Sequence, residues 1–438
     1  VILVLWAGLF GVSSSVAAHE VKIAVVSPAE IRIRIDSIGP DREWSFRNAY
    51  AGVLGIAERV DQFHAFGSGG EDVGARKIAT GEFRSTAVAD TVEYVVKLPA
   101  PAAADVAHVS WIGSDSGLLM LADLLPERIP GVRVEMSLPS GWTCQSSYSP
   151  DAQGKYHVVE PEKTVFLLGR ALRKQAQRVK GLPFDVATDG EWPFKVETVT
   201  KAAAKVLARY LALTGSVPVV KPMVLLAPLP VATGSVKWRA ETRGQTVVLL
   251  MDPRAKINNW SGQLGIIFTH ELLHLWVPNS LLLEGDYDWF FEGFTLYTAL
   301  VTALELKFIN FAEYVATLTR VYDSYLSRPD ELSLIDASER RWTSGNVTVY
   351  DKGMLVALLY DLAIRRDSGG KLWLGSLYRR LFAPAPQPAN GNEVIIRLLS
   401  STPAGVELAK SYIEGRRELD IKSLLADEKQ LSKSLYYR

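Results

Sequence analysis

The spacing of apolar positions changes along the chain. Between residues 19 and 150, short alternating runs recur at Val21–Val26, Glu30–Ile35, Thr91–Leu98 and Val132–Met136, with Gly, Pro and Asp between them. Alternation with a period of two is the signature of half-buried strands. Two stretches there read as helices, one around Ala51–Val60 and one over Gly117–Leu125, closed by Pro126. From about residue 160, strand-like runs at 163–169, 182–188, 222–229 and 245–252 alternate with helical spacing at 170–180 and 194–213. That order predicts a mixed α/β unit. Beyond about 256 the spacing becomes three to four. It predicts helices over 264–276, 288–308 (Asp288 as N-cap), 311–326, 352–366, 370–380 and 391–399. The fold class expected is α+β. A mostly β N-terminal domain covers 19–155, a mixed α/β part 156–255 and a helical part 256–438.

Residues 1–18 stand apart. A short apolar run, VILVLWAGLF, leads into small residues ending Val16-Ala17-Ala18. This predicts a secretory leader cut after Ala18 and a periplasmic or secreted protein. No later apolar run is long enough to span a bilayer, so no integral membrane segment is expected after the leader is removed.

Composition narrows the chemistry. Of 438 residues, 48 are Lys or Arg and 48 are Asp or Glu, which leaves no basic excess to attract nucleic acid. With 48% apolar and 22% charged residues, the chain is globular rather than disordered. Cys144 is the single cysteine, which excludes an intrachain disulfide and any thiolate-rich metal site. No phosphate-cradling glycine loop, dinucleotide fingerprint or serine elbow is present.

The candidate chemistry is His270-Glu271-Leu272-Leu273-His274, inside the apolar run FTHELLHLW. On a helix, positions i and i+4 share a face, so both imidazoles reach one metal ion. Glu271, rotated by about 100°, faces a metal-bound water as general base. A catalytic zinc needs a third protein ligand, and no histidine follows His274. Glu292 in WFFEGF, at the start of the next helix, is the candidate, with Glu284 and Asp286 in the intervening loop as rivals. One zinc ion per chain is expected. A donor for the developing oxyanion is also needed. Tyr350, expected just before a helix, stands level here with Tyr297, Tyr322 and Tyr325. His64, His108 and His157 read as structural or exposed. Trp260, Trp276, Trp289 and Trp342 flank the region and read as core.

HELLHLW followed by WFFEGFTLY resembles the gluzincin metallopeptidases, which implies a thermolysin-like catalytic domain with a His–His–Glu zinc site. The Glu292–Thr295 wording is similar to the glycyl aminopeptidase branch. So are SFRNAYAGVLG (45–55), SWIGSDSGLL (110–119), DLLP (123–126) and SYIEGRRELDIKSLL (411–425). More distantly, the chain resembles the alanyl aminopeptidase and leukotriene hydrolase branch, although its loop before Glu292 is one residue shorter. A Tyr-x-Lys-Gly motif in that branch matches Tyr350-Asp351-Lys352-Gly353. The resemblance thus implies Tyr350 as oxyanion donor and Glu271 as base.

Two departures follow. Where the alanyl branch carries Gly-x-Met-Glu-Asn, whose glutamate binds the substrate amine, this chain has Trp238–Gly244. Glu241 stands there with unmatched neighbours, so it binds an amine or pairs with Arg239 or Arg243. The chain ends at Arg438, so the C-terminal peptide-binding domain often found in the glycyl branch is expected to be absent. The function implied is zinc-dependent hydrolysis of peptide or protein substrates, with aminopeptidase action in view. A non-peptide zinc hydrolase on the same scaffold and a catalytically inactive peptide-binding homologue are the alternatives.

Overall fold

The computed structural model describes residues 19–421, apart from 103–104, 232–236, 256–261, 328–331, 384–386 and 420. The expected leader and Trp260 lie outside the described residues.

The N-terminal half is built of strands. His19–Ser27 runs parallel to Val132–Ser137 and antiparallel to Glu30–Ser45. Glu82–Lys97 and Val60–Phe66 extend this sheet on one side, and Tyr156–Val158 closes the other. Ile31, Ile33 and Ile35 are fully buried, as an alternating strand with one face on a core requires. A smaller sheet runs Thr143–Gln145, Val165–Gly169, Ser116–Met120, Trp111–Ile112. Pairing with the N-terminal strands therefore continues to Gly169, past the expected boundary at 155.

Three expected helices are not helices. Around Ala51–Val60 the chain makes a small hairpin, Ala49–Tyr50 with Val53–Leu54, and then a 3-10 turn at Ile56–Arg59. Ala51, Gly52 and Gly55 all have positive φ, which interrupts any helix there. Ser116–Met120 is a strand followed by a 3-10 turn at Leu121–Asp123. A short apolar run carries no period to separate strand from helix. Arg173–Val179 is an edge strand turning back onto Leu182–Thr188 through Lys180 and Gly181, both at positive φ. Such a two-residue turn matches the twist of paired strands.

That hairpin opens a five-stranded sheet, ordered Arg173–Val179, Leu182–Thr188, Met223–Pro228, Thr246–Met251, Trp238–Arg243. Its inner pairs are parallel and its edges antiparallel. Both faces are covered, so its inner strands are largely apolar, with buried Asp185 paired to Lys174 and Lys221. Val224, Leu226, Val247 and Leu249 face the helical core, while Met223, Leu225, Val248 and Leu250 pack on Trp111, Leu118 and Leu167 of the smaller N-terminal sheet.

Among the described residues the α-helices are α1 (Val196–Thr214), α2 (Gln263–His274), α3 (Thr295–Glu305), α4 (Phe311–Ser327), α5 (Leu334–Glu339), α6 (Asn346–Asp367), α7 (Leu374–Leu381), α8 (Gly391–Leu399) and α9 (Pro403–Leu408). A π-helical turn, Trp289–Phe294, leads into α3, and another, Arg341–Gly345, into α6. The expected helix from 352 thus starts at Asn346, and Tyr350 lies within it. Asp288 makes no cap hydrogen bond, because its carboxylate is held by Arg341. No helix among the described residues is long and apolar enough to cross a membrane.

Candidate metal centre

α2 runs beside the edge strand Trp238–Arg243 and sets His270 and His274 one turn apart, both buried. Their Nε2 atoms are 3.0 Å apart. Glu292 reaches them from the π-helical turn before α3, its Oε2 lying 3.3 Å from His270 Nε2 and 3.5 Å from His274 Nε2. π-turns of this kind concentrate at functional sites.

Tetrahedral ligands about 2.0–2.1 Å from a zinc ion stand roughly 3.4 Å from one another. The three separations, 3.0, 3.3 and 3.5 Å, form that triangle. Glu292 Oε2 is buried and accepts no hydrogen bond, which a bound cation would remedy. The histidines are oriented for ligation. His274 Nδ1 lies 2.8 Å from the Val277 carbonyl, so it donates there and turns Nε2 toward the other ligands. His270 Nδ1 lies 3.4 Å from Thr295 Oγ1, whose own hydrogen goes to the Phe291 carbonyl at 2.6 Å. His270, His274 and Glu292 are the one group of metal-ligating side chains among the described residues, a single site matched to one zinc ion. The rival ligands Glu284 and Asp286 are exposed in the loop and take no part.

Electrostatics are consistent with this donor set. Burial raises the Glu292 carboxyl, but the His274 and His270 imidazoles and Arg341 pull it well below the usual range. Burial lowers His274, but Glu292 outweighs it and brings the imidazole up to about 9. Glu271 is raised by burial, against the pull of His270 and His274. A carboxylate so placed is a stronger base than a solvated one. Thr242 Oγ1 lies 2.7 Å from Glu271 Oε2 and orients it.

Tyr350 enters from α6. Its hydroxyl is 3.0 Å from Arg341 Nη2, and the same nitrogen is 2.6 Å from Glu292 Oε1. Two of its rivals are occupied elsewhere, and Tyr322 does not line the cleft. Tyr297 donates to Asp361 at 2.9 Å, and Tyr325 accepts from the Leu419 amide. His270, Glu271, His274, Glu292, Tyr350 and Glu241 line one cleft of about 780 Å³.

An aminopeptidase N family protein from Idiomarina loihiensis has a similar structure. The match covers 93% of this chain and 78% of that one, at 17% identity and a TM-score of 0.76. An M1 zinc metallopeptidase from Deinococcus radiodurans matches over 92% and 94% at 12% identity and a TM-score of 0.58. A mutant of that enzyme bound to a Tyr-Ser-Ala substrate gives a TM-score of 0.57 at 12% identity, over 92% and 94%. The chain has the fold of the M1 zinc metallopeptidases. No protein-family model matches the sequence, and no curated protein matches it.

Within this metallopeptidase fold, Glu241 lies on the edge strand beside α2, buried rather than at the surface. Tyr50 donates to its Oε1 at 2.6 Å, His108 bonds its Oε2, and Arg243 stands 3.6 Å away. Burial raises this carboxyl, but His108 and Arg243 lower it further, so it is held as a carboxylate. Tyr50, in the small hairpin, and His108, in a turn before Trp111–Ile112, bring the N-terminal half to the lining of the cleft. Tyr50 also lies between two guanidinium groups, Arg243 at 3.8 Å and Arg47 at 4.6 Å from its ring centre.

Sequence reasoning missed Arg341, Thr242, Tyr50 and His108. Their partners lie 49, 29, 191 and 133 positions away, so no local spacing marks them. Of the flanking tryptophans, Trp276 and Trp289 are core, while Trp342 is exposed at the cleft, 6.2 Å from Tyr50. His64 and His157 are exposed, beside Asp72 and Asp151.

Proposed function

We propose that the protein is a zinc-dependent peptidase that removes residues from the amino terminus of peptides. The observation that carries the reading is the convergence, in one cleft, of a three-ligand zinc site, a buried base and the buried carboxylate of Glu241. His270, His274 and Glu292 would hold a zinc ion, which would supply Lewis acidity for activating water and polarising the scissile carbonyl.

The side chains do the rest. Glu271 takes the proton of the attacking water, aimed by the Thr242 hydroxyl. Tyr350 donates its phenolic hydrogen to the carbonyl oxygen as negative charge gathers there. When the C–N bond breaks, Glu271 passes its proton to the leaving amine, giving a free carboxylate and a shortened peptide. Glu241 supplies the negative charge that attracts a free α-ammonium group. Tyr50 and Trp342 narrow the approach to the cleft.

Cleavage without a free amine is a second reading, supported by one observation. Both Glu241 oxygens already hold partners from this chain, His108 and Tyr50. Matched peptides, free and N-acetylated, separate the two. Loss of cleavage on acetylation supports aminopeptidase action, and equal cleavage of both supports the second reading. The apolar first 18 residues support action outside the cytoplasm, which fractionation of the producing cell checks.

A further inference from the structure

We infer that Arg341 is a positioning residue that ties the zinc ligand Glu292 to the oxyanion donor Tyr350. The inference rests on the peptidase reading and deepens it, since nothing in the zinc-binding motif calls for an arginine 49 positions beyond Glu292.

The geometry is specific. Arg341 Nη1 lies 2.5 Å from Asp288, and Nη2 lies 2.6 Å from Glu292 Oε1 and 3.0 Å from the Tyr350 hydroxyl. The guanidinium plane is further bounded by the Trp342, Phe291 and Tyr350 rings, at 4.4, 5.4 and 5.7 Å from its central carbon. The side chain is 11% exposed. Asp288 and Glu292 sit on the turn leading into α3, and Tyr350 sits on α6. One rigid fork therefore bridges the two elements that meet at the metal.

Two consequences follow from hydrogen-bond chemistry. A guanidinium only donates, so the Tyr350 oxygen must accept from Arg341. The phenolic hydrogen is then directed away from Arg341 and is left for another acceptor. Tyr350 is thus fixed as a donor before any substrate arrives. The second consequence concerns Glu292. Arg341 engages Oε1, which leaves Oε2 as the oxygen facing His270 and His274. The arginine selects which oxygen meets the metal and holds the carboxylate at that rotation. Such support for a ligating carboxylate typically changes metal affinity by about 10–100-fold.

The experiment is a double-mutant cycle with two readouts. Arg341→Met and Tyr350→Phe are made singly and together, with Arg341→Lys as the conservative variant that keeps the buried charge. Zinc release is followed by transfer to a chromophoric chelator, which needs no substrate. Arg341→Met is expected to speed release about 10-fold or more, and Arg341→Lys less. For zinc-loaded protein, Arg341→Met is expected to lower kcat about 100-fold with KM changed less than threefold, as for loss of an interaction felt in the transition state. In the Tyr350→Phe background the same change should cost kcat less than about tenfold, because its route of action has gone. Unaltered zinc release overturns the link to Glu292. An equal kcat loss with and without Tyr350 overturns the link to the tyrosine. Should no peptide be cleaved by the wild type, the peptidase reading fails while the zinc-release arm still tests Arg341.

Discussion

Gly293 and Gly353 face each other where the turn carrying Glu292 crosses α6. A Cβ built on Gly293 would stand 2.6 Å from the Gly353 Cα, and one on Gly353 would stand 2.9 Å from the Trp289 carbonyl oxygen. Both glycines adjoin the site in sequence, one directly after Glu292 and the other three residues after Tyr350. Their lack of side chains lets the two backbones approach, and that approach brings Tyr350 to the metal ligand.

Alanine at either glycine therefore forces the crossing apart. Gly293→Ala and Gly353→Ala should each destabilise the fold by about 1–3 kcal/mol, read as a lower denaturant midpoint. Both should also weaken zinc retention, because Glu292 moves with its turn. Wild-type stability in either variant would show that the helices can part at no cost.

Glu271 and Thr242 form a second testable pair. Glu271→Gln keeps the shape but removes the base, so zinc content should be unchanged while kcat falls by about 10²–10⁴. Thr242→Val leaves the base and removes the hydroxyl 2.7 Å from Oε2. Its loss should be smaller, about 3–30-fold in kcat, on the scale of one hydrogen bond to a charged group. A Glu271→Gln protein with full turnover would eliminate the proposed base.

Zinc affinity should depend on pH. In the metal-free protein, burial lowers His274 but Glu292 raises it more, to about 9, above the ordinary value of about 6.5. The metal-free fold thus has stability from this protonated pair that is complete below about pH 6.5 and is lost as pH rises through about 9. Zinc must displace that proton, so apparent affinity should rise about tenfold per pH unit between pH 6 and 8. Chelator competition at several pH values measures the slope. A flat profile would mean that His274 is neutral before metal binds.

Glu241 should govern the substrate's amine. Glu241→Gln removes the charge while keeping the Tyr50 contact possible. For free-amine peptides kcat/KM should fall by about 10–100-fold, the scale of one charge-assisted contact. Any residual turnover of N-acetylated peptides should be unchanged. Equal losses on both would assign Glu241 a purely structural part.

The legibility of this fold in its sequence varied with the range of the interactions. The zinc helix was readable because i and i+4 histidines need only local geometry. Glu292 was readable because one turn of chain links its helix to α2. The segment Arg173–Val179 was misread because Arg, Lys, Gln and Ala favour helices, whereas a tight turn and an edge pairing made it a strand. Tyr350 was found through its motif, but its place inside α6 was not, since a π-turn rather than a loop precedes it. Arg341, Tyr50 and His108 were invisible, because only the folded chain brings them to carboxylates far away in sequence. They surround the motif and hold its carboxylates in place.

Zinc bound per chain tests the central claim most directly. Wild-type protein, His274→Ala and Glu292→Ala are each incubated with one equivalent of zinc, desalted and analysed for metal. The expected result is one zinc per chain for the wild type and almost none for either variant. A wild type that retains no zinc, or a Glu292→Ala protein that holds it as tightly as the wild type, would contradict a centre built from these three side chains.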